Sequence, residues 1–84
     1  MPRFIVTHTM PLTEEQLQAL SQKPSVPEVS WIRTFCGFDD NKHFCEWEAP
    51  SKEPVKEIMT RESIPYDAIY RVQTFDVASK TLEA

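Results

Sequence analysis

The chain has 84 residues, 40% hydrophobic and 26% charged, with a formal net charge of −4 and an isoelectric point near 5.0. That length bounds it to one small domain with a core of limited stability, for which association with a second copy is a common remedy. The acidic balance argues against a nucleic-acid or anionic-membrane partner, which would need a basic face, and no apolar run approaches the ~18 residues of a bilayer span.

Residues 3–10, RFIVTHTM, read as a first strand. Their β-branched and aromatic side chains alternate, with Phe4, Val6 and His8 on one face and Ile5, Thr7 and Thr9 on the other. Pro11 ends the strand because it has no N–H for the ladder. Thr13 with Gln16 three residues later forms a capping-box pattern, and Leu12 with Leu17 suits a hydrophobic staple. Glu14 and Glu15 suit the positive end of the dipole. A short helix over residues 14–22 follows, with Leu17, Ala19 and Leu20 as its apolar stripe and Pro24 and Pro27 forbidding continuation.

Residues 28–38 and 42–49 form two strand-like runs around the polar break Asp39-Asp40-Asn41-Lys42, the pattern of a β-hairpin. A tight turn on Asp40-Asn41 sets Cys36 opposite Cys45, Phe38 opposite His43 and Arg33 opposite Glu48. One face then carries Ile32, Thr34, Cys36, Phe38, His43, Cys45, Trp47 and Ala49; the other carries Trp31, Arg33, Phe35, Phe44, Glu46 and Glu48. A three-residue loop, 39–41, is the alternative, and it separates the two cysteines onto opposite faces.

Ser51 is positioned to cap a second helix, with Pro54 tolerated in its first turn and Val55, Ile58 and Met59 facing the core. Ser63-Ile64-Pro65 stops it. Residues 67–77 alternate as a last strand, and 79–84 read as a polar, frayed tail beyond a single domain of residues 1–78. The order β-α-β-β-α-β in so short a chain predicts an α+β fold, the ferredoxin-like sandwich of a four-stranded antiparallel sheet with both helices on one face. Apolar residues on both faces of several strands exceed what two short helices can cover. The expected partner is therefore a second copy, in a homodimer through the sheet face.

The segments MPRFIVTHTMPLTEEQL, WIRTF, FCEWEAP and IPYDAIYRV together resemble a small bacterial family of nickel-binding proteins, once catalogued as a domain of unknown function. The resemblance runs over nearly the whole chain, and FCEWEAP is its most specific part. It implies a ferredoxin-like fold, dimers and nickel as the candidate metal, with Cys45 matching the family's cysteine. This chain departs from the pattern by an additional residue near Gly37-Phe38, by Ile58 in place of a helix histidine, and by Ser63 in place of a glycine.

Beside that resemblance stand the residues themselves. Cys36, His43 and Cys45 share a face in the first register, and His8 joins them if the first strand runs alongside. Thiolate and imidazole ligate nickel, zinc or copper, although C-x6-H-x-C is not a zinc-finger spacing. The plainer reading makes both cysteines small buried hydrophobes and His43 a solvated hairpin residue. Directly opposed thiols would alternatively form a strained cross-strand disulfide, though the acidic neighbours Asp39, Asp40, Glu46 and Glu48 disfavour a thiolate.

The expected function is a small, non-catalytic metal-binding protein that sequesters or senses. The alternative is a cofactor-independent enzyme or small-molecule-binding dimeric α/β-barrel protein, with a pocket between sheet and helices at Trp31, Arg33, Trp47, Tyr66 and Tyr70. There Arg33 would hold an anion and His8 would act as general base. No Ser-His-Asp order, Gly-rich phosphate loop or HExxH motif supports a hydrolase or nucleotide enzyme. The segment MPRFIVTHTM lacks the long apolar stretch of a signal peptide, so the expected location is the cytoplasm, with the two cysteines as free thiols.

Overall fold

A computed structural model describes residues 1–23 and 26–83. The elements run β1 (Arg3–Thr9), α1 (Glu14–Ser21), β2 (Ser30–Gly37), a 3-10 turn at Phe38–Asp40, β3 (Lys42–Glu48), α2 (Lys52–Arg61), β4 (Ala68–Val72), β5 (Thr74–Asp76) and β6 (Thr81–Glu83). The first four strands build one sheet in the order β2-β3-β1-β4, antiparallel at every junction. The fold is α+β, a four-stranded antiparallel sheet with two helices. Among the described residues no helix is long and apolar enough to cross a membrane.

The alternation read in β1 holds. Phe4, Val6 and His8 are buried, and their neighbours Arg3, Ile5 and Thr7 are only half-buried. On the same face lie Cys45 and Trp47 of β3, Ile69 of β4, and Val55 and Met59 of α2. Val55 and Met59 are one helical turn apart, so a single stripe of α2 closes the core, with Ile58 half-buried at its flank. Helix α1 has the expected capping box: Gln16 N–H donates to Thr13 Oγ1 at 3.2 Å, and Thr13 N–H donates to Gln16 Oε1 at 2.9 Å. Of the two prolines expected to stop α1, Pro24 lies outside the described residues. Ser51 occupies the N-cap position of α2 but makes no side-chain capping bond.

The hairpin register differs from the expected one. Cys36 pairs with His43, Thr34 with Cys45 and Arg33 with Glu46. The connecting loop has four residues, 38–41, a 3-10 turn closed by Asn41 in the left-handed conformation at φ 52°. Asn is among the few non-glycine residues that take that conformation readily. The change from the expected pairing is two residues, so nearly every side chain keeps its face. The exception is Trp31. A bulge between Trp31 and Arg33 turns Trp31 away from the face of Arg33, where it was expected, and onto that of its partner Trp47. Gly37, opposite Lys42, sits where a Cβ would come 2.8 Å from the Lys42 carbonyl oxygen.

The last expected strand is two elements. β4 leaves the sheet after Val72, and β5 pairs with β6 as a separate two-stranded ribbon. Residues 81–83 of the segment expected to be frayed are thus in a strand; Ala84 lies outside the described residues.

Helix α2 ends in a Schellman motif, with Ile64 N–H donating to the Met59 carbonyl at 2.8 Å and Ser63 N–H to that of Thr60 at 3.2 Å. Ser63 holds the left-handed position at φ 54°, where a Cβ is unfavourable and glycine is the usual occupant. Replacing Ser63 by Gly is expected to raise the unfolding free energy by about 0.5–1 kcal/mol. Urea denaturation should show a higher midpoint at unchanged slope.

Candidate functional site

One sheet face carries a row of chemistry-bearing side chains across three of its four strands, β2, β3 and β1. His8 of β1 is directly opposite His43 of β3, and His43 is in turn opposite Cys36 of β2. Cys45 lies two residues along β3, between Val6 and Thr34. All four residues expected as metal ligands therefore share one face.

Their environments differ. His8 is 3% exposed and His43 fully buried, so each ring must find its partners inside the protein. His8 Nδ1 donates to the Pro65 carbonyl at 2.7 Å, and His43 Nε2 donates to the Met10 carbonyl at 3.0 Å. A carbonyl can only accept, so in the neutral ring each bond selects the tautomer and leaves the other nitrogen with a lone pair. For His43 that nitrogen, Nδ1, is buried without any partner. Phe38 meets the His43 ring edge-on, with centroids 5.7 Å apart.

The cysteines are both free, one exposed and one buried, so the expected opposition of two thiols is not realised. Cys45 accepts a hydrogen bond from Thr34 Oγ1 at 3.1 Å, and the same oxygen accepts from Trp31 Nε1 at 2.9 Å. Burial pushes the Cys45 thiol up, the bond from Thr34 opposes that, and the neighbouring Cys36 adds to the rise. The reading of Cys45 as a small core residue therefore holds as far as packing goes. For Cys36, which is exposed, it does not.

The donor types suit a soft or borderline metal, but they do not converge: among the described residues no three His, Cys, Asp or Glu side chains are grouped so as to hold an ion. The two carboxylates of β3 are engaged elsewhere. Glu46 accepts from Arg3 at 2.6 Å and Arg33 at 3.2 Å, and Glu48 from Arg3 at 3.0 Å. Arg33 was expected opposite Glu48; the register gives it Glu46.

The residues expected around a pocket are split. Trp31 and Trp47 stack at 5.9 Å between centroids, 15° from parallel, and line a cavity of about 820 Å³ between the sheet face, α1 and α2. His8 and Cys45 also line it. Tyr66 borders a separate hollow beside Met59 and Pro65. Arg33 and Tyr70 lie on the opposite, open sheet face, pairing with Glu46 and Ile5. The carbonyls of Met10 and Pro65 and the hydroxyl of Thr34 were missed in the sequence, where a hydrogen-bond partner set by tertiary contact leaves no local pattern.

The family model for nickel responsive protein, SCO4226-like, matches residues 4–72. No curated protein and no solved structure gives a significant match.

The contrast between the thiols is expected to appear in their reactivity. At neutral pH a thiol reagent such as iodoacetamide should modify Cys36 on the order of tenfold or more faster than Cys45, because Cys45 is both occluded and held as the unreactive thiol. Peptide mass mapping of the native protein gives the ratio, and denaturation should abolish it.

Proposed function

The chain belongs to the SCO4226-like family of nickel responsive proteins, and on that premise we propose that it is a small nickel-binding protein that sequesters or senses the metal rather than catalysing a reaction. Its strand order, with a helix between β1 and β2 and another between β3 and β4, supports placing it among ferredoxin-like sandwiches. Two free cysteines suit a reducing cytoplasm.

The observation that carries the reading is the pair of opposed imidazoles. Each keeps one nitrogen as a donor to a backbone carbonyl and the other as a lone pair. Metal-bound histidines are held in this way, because the outer hydrogen bond fixes the ring and raises its basicity. The His43 lone pair has no competing donor. Nickel would be held by His8 and His43 with sulfur from Cys45, and Cys36 opposite His43 is the exposed candidate free to reorient toward them. Imidazole and thiolate together suit a late first-row divalent ion. Bound there, the metal would draw on both lone pairs and displace the Cys45 proton.

The proposal extends to a homodimer through the open sheet face. Phe35 and Phe44 pair across β2 and β3 on that face, and Tyr70 lies opposite Ile5. Phe35, Phe44 and Tyr70 are 56%, 40% and 57% exposed. Aromatic side chains so disposed form an apolar patch that a second sheet would cover.

Native mass spectrometry of reduced protein with a slight excess of Ni²⁺ is expected to record a fixed number of ions per chain, lost in Cys45→Ser and in His43→Ala. A raised thiol pKa means that a proton competes with the metal throughout the neutral range. Nickel affinity should accordingly climb with pH, by about tenfold per unit for one displaced proton. A wild-type protein that stays metal-free refutes the reading. Separately, analytical ultracentrifugation should find a dimer, converted to monomer by Phe44→Glu, which places a charge in the apolar patch.

A further inference from the structure

Helix α1 buries none of its residues, although its apolar stripe faces inward. Leu17 and Leu20 are half-buried because they border the 820 Å³ cavity instead of packing down on the sheet. That volume falls within the roughly 300–1,000 Å³ of small-molecule sites. Its sheet-side wall includes the stacked Trp31 and Trp47, a flat aromatic surface. The charged residues that border it, Lys23, Glu28, Arg61 and Glu62, lie in helix ends and loops and are exposed or half-exposed. No charged side chain is contributed by the sheet.

One polar atom on the sheet wall is buried without a partner. Trp47 is 9% exposed, and its Nε1–H is buried with no acceptor. An indole N–H in that state forfeits a hydrogen bond it would make in water. The equivalent atom of Trp31 is satisfied by Thr34, so the deficit belongs to Trp47 alone of the two. His8, whose Nδ1 is a donor to the Pro65 carbonyl, lines the same wall, but its other nitrogen is the one assigned above to nickel.

We propose that this cavity is a binding site, distinct in purpose from nickel binding, for an uncharged, flat, largely apolar ring compound carrying a carbonyl or similar acceptor. The rings lie against the Trp31–Trp47 wall and under Leu17 and Leu20. The acceptor takes the Trp47 Nε1–H. An ionised group cannot be held against the sheet wall, since no opposite charge is there to offset its desolvation.

The test uses ¹⁵N-labelled protein titrated with 2-acetylnaphthalene, an apolar ketone, and with naphthalene, its hydrocarbon counterpart. The chain has two tryptophans, hence two indole N–H signals. The ketone is expected to bind saturably and about fivefold tighter than naphthalene, the value of one net hydrogen bond. It alone should move the Trp47 indole signal downfield. Leu20→Glu, with Leu17→Lys as a second variant of opposite charge, should weaken both ligands by roughly tenfold or more. Retained shifts of the β1 and β3 amides show that the fold is intact. Absence of saturable binding, or binding undiminished in both variants, overturns the site. Equal affinity for the two ligands with an unmoved Trp47 signal overturns the hydrogen-bond assignment.

Discussion

Two histidines face each other on the central strands of this sheet, away from water, and each must find a hydrogen-bond partner inside the protein. Their solution organises the end of the molecule nearest the hairpin loop. His43 reaches the Met10 carbonyl just beyond β1, and His8 reaches the Pro65 carbonyl in the segment between α2 and β4. The chain's exit from β1 and its return into β4 are thereby tied to the same pair of rings. Backbone bonds reinforce both points, from Met10 N–H to Asn41 and from Asp67 N–H to Thr7. A hydrophobic residue at either position would pack as well but could not specify where those two loops lie.

The two candidate sites follow from how that face is filled. α2 lays Val55 and Met59 onto the sheet and seals one part of it. α1, eight residues long, stands off and leaves the rest open. The sealed part makes a core, the open part a cavity, and Cys45 borders both. Occupancy of one site therefore bears on the other through Cys45 and through His8, which lines the cavity as well, since a deprotonated, metal-held sulfur would present a different wall to a neutral ligand.

Local patterns were legible in the sequence where the deciding interaction is itself local. The Thr13–Gln16 capping box, the inward trio Phe4, Val6 and His8, and the α2 stripe are each set by residues within a turn or a strand. The hairpin loop was not, because Asn41 in a left-handed conformation makes four-residue and two-residue closures equally open to these residue types. The error was harmless to the faces, since it amounted to an even number of residues. The bulge at Trp31 was illegible for a stronger reason: it is stabilised by stacking on Trp47, sixteen residues away in sequence. The split of the last strand was hidden because the residues on both sides of Gln73 suit a sheet. Of the metal-ligand candidates, type and face could be read, but the burial of Cys45 and exposure of Cys36 depend on which side of β3 each strand neighbour lies.

The bulge between Trp31 and Arg33 has a consequence at the margin of the sheet. β2 is an edge strand, with a row of backbone donors and acceptors that a further strand could template onto. An extra residue breaks the spacing of that row and twists it. At the other margin β4 offers only five residues before the chain turns off at Gln73 into its own ribbon. Neither margin presents a long, regular ladder, so lateral growth of the sheet into larger aggregates is disfavoured at both ends even though its open face is rich in aromatic side chains.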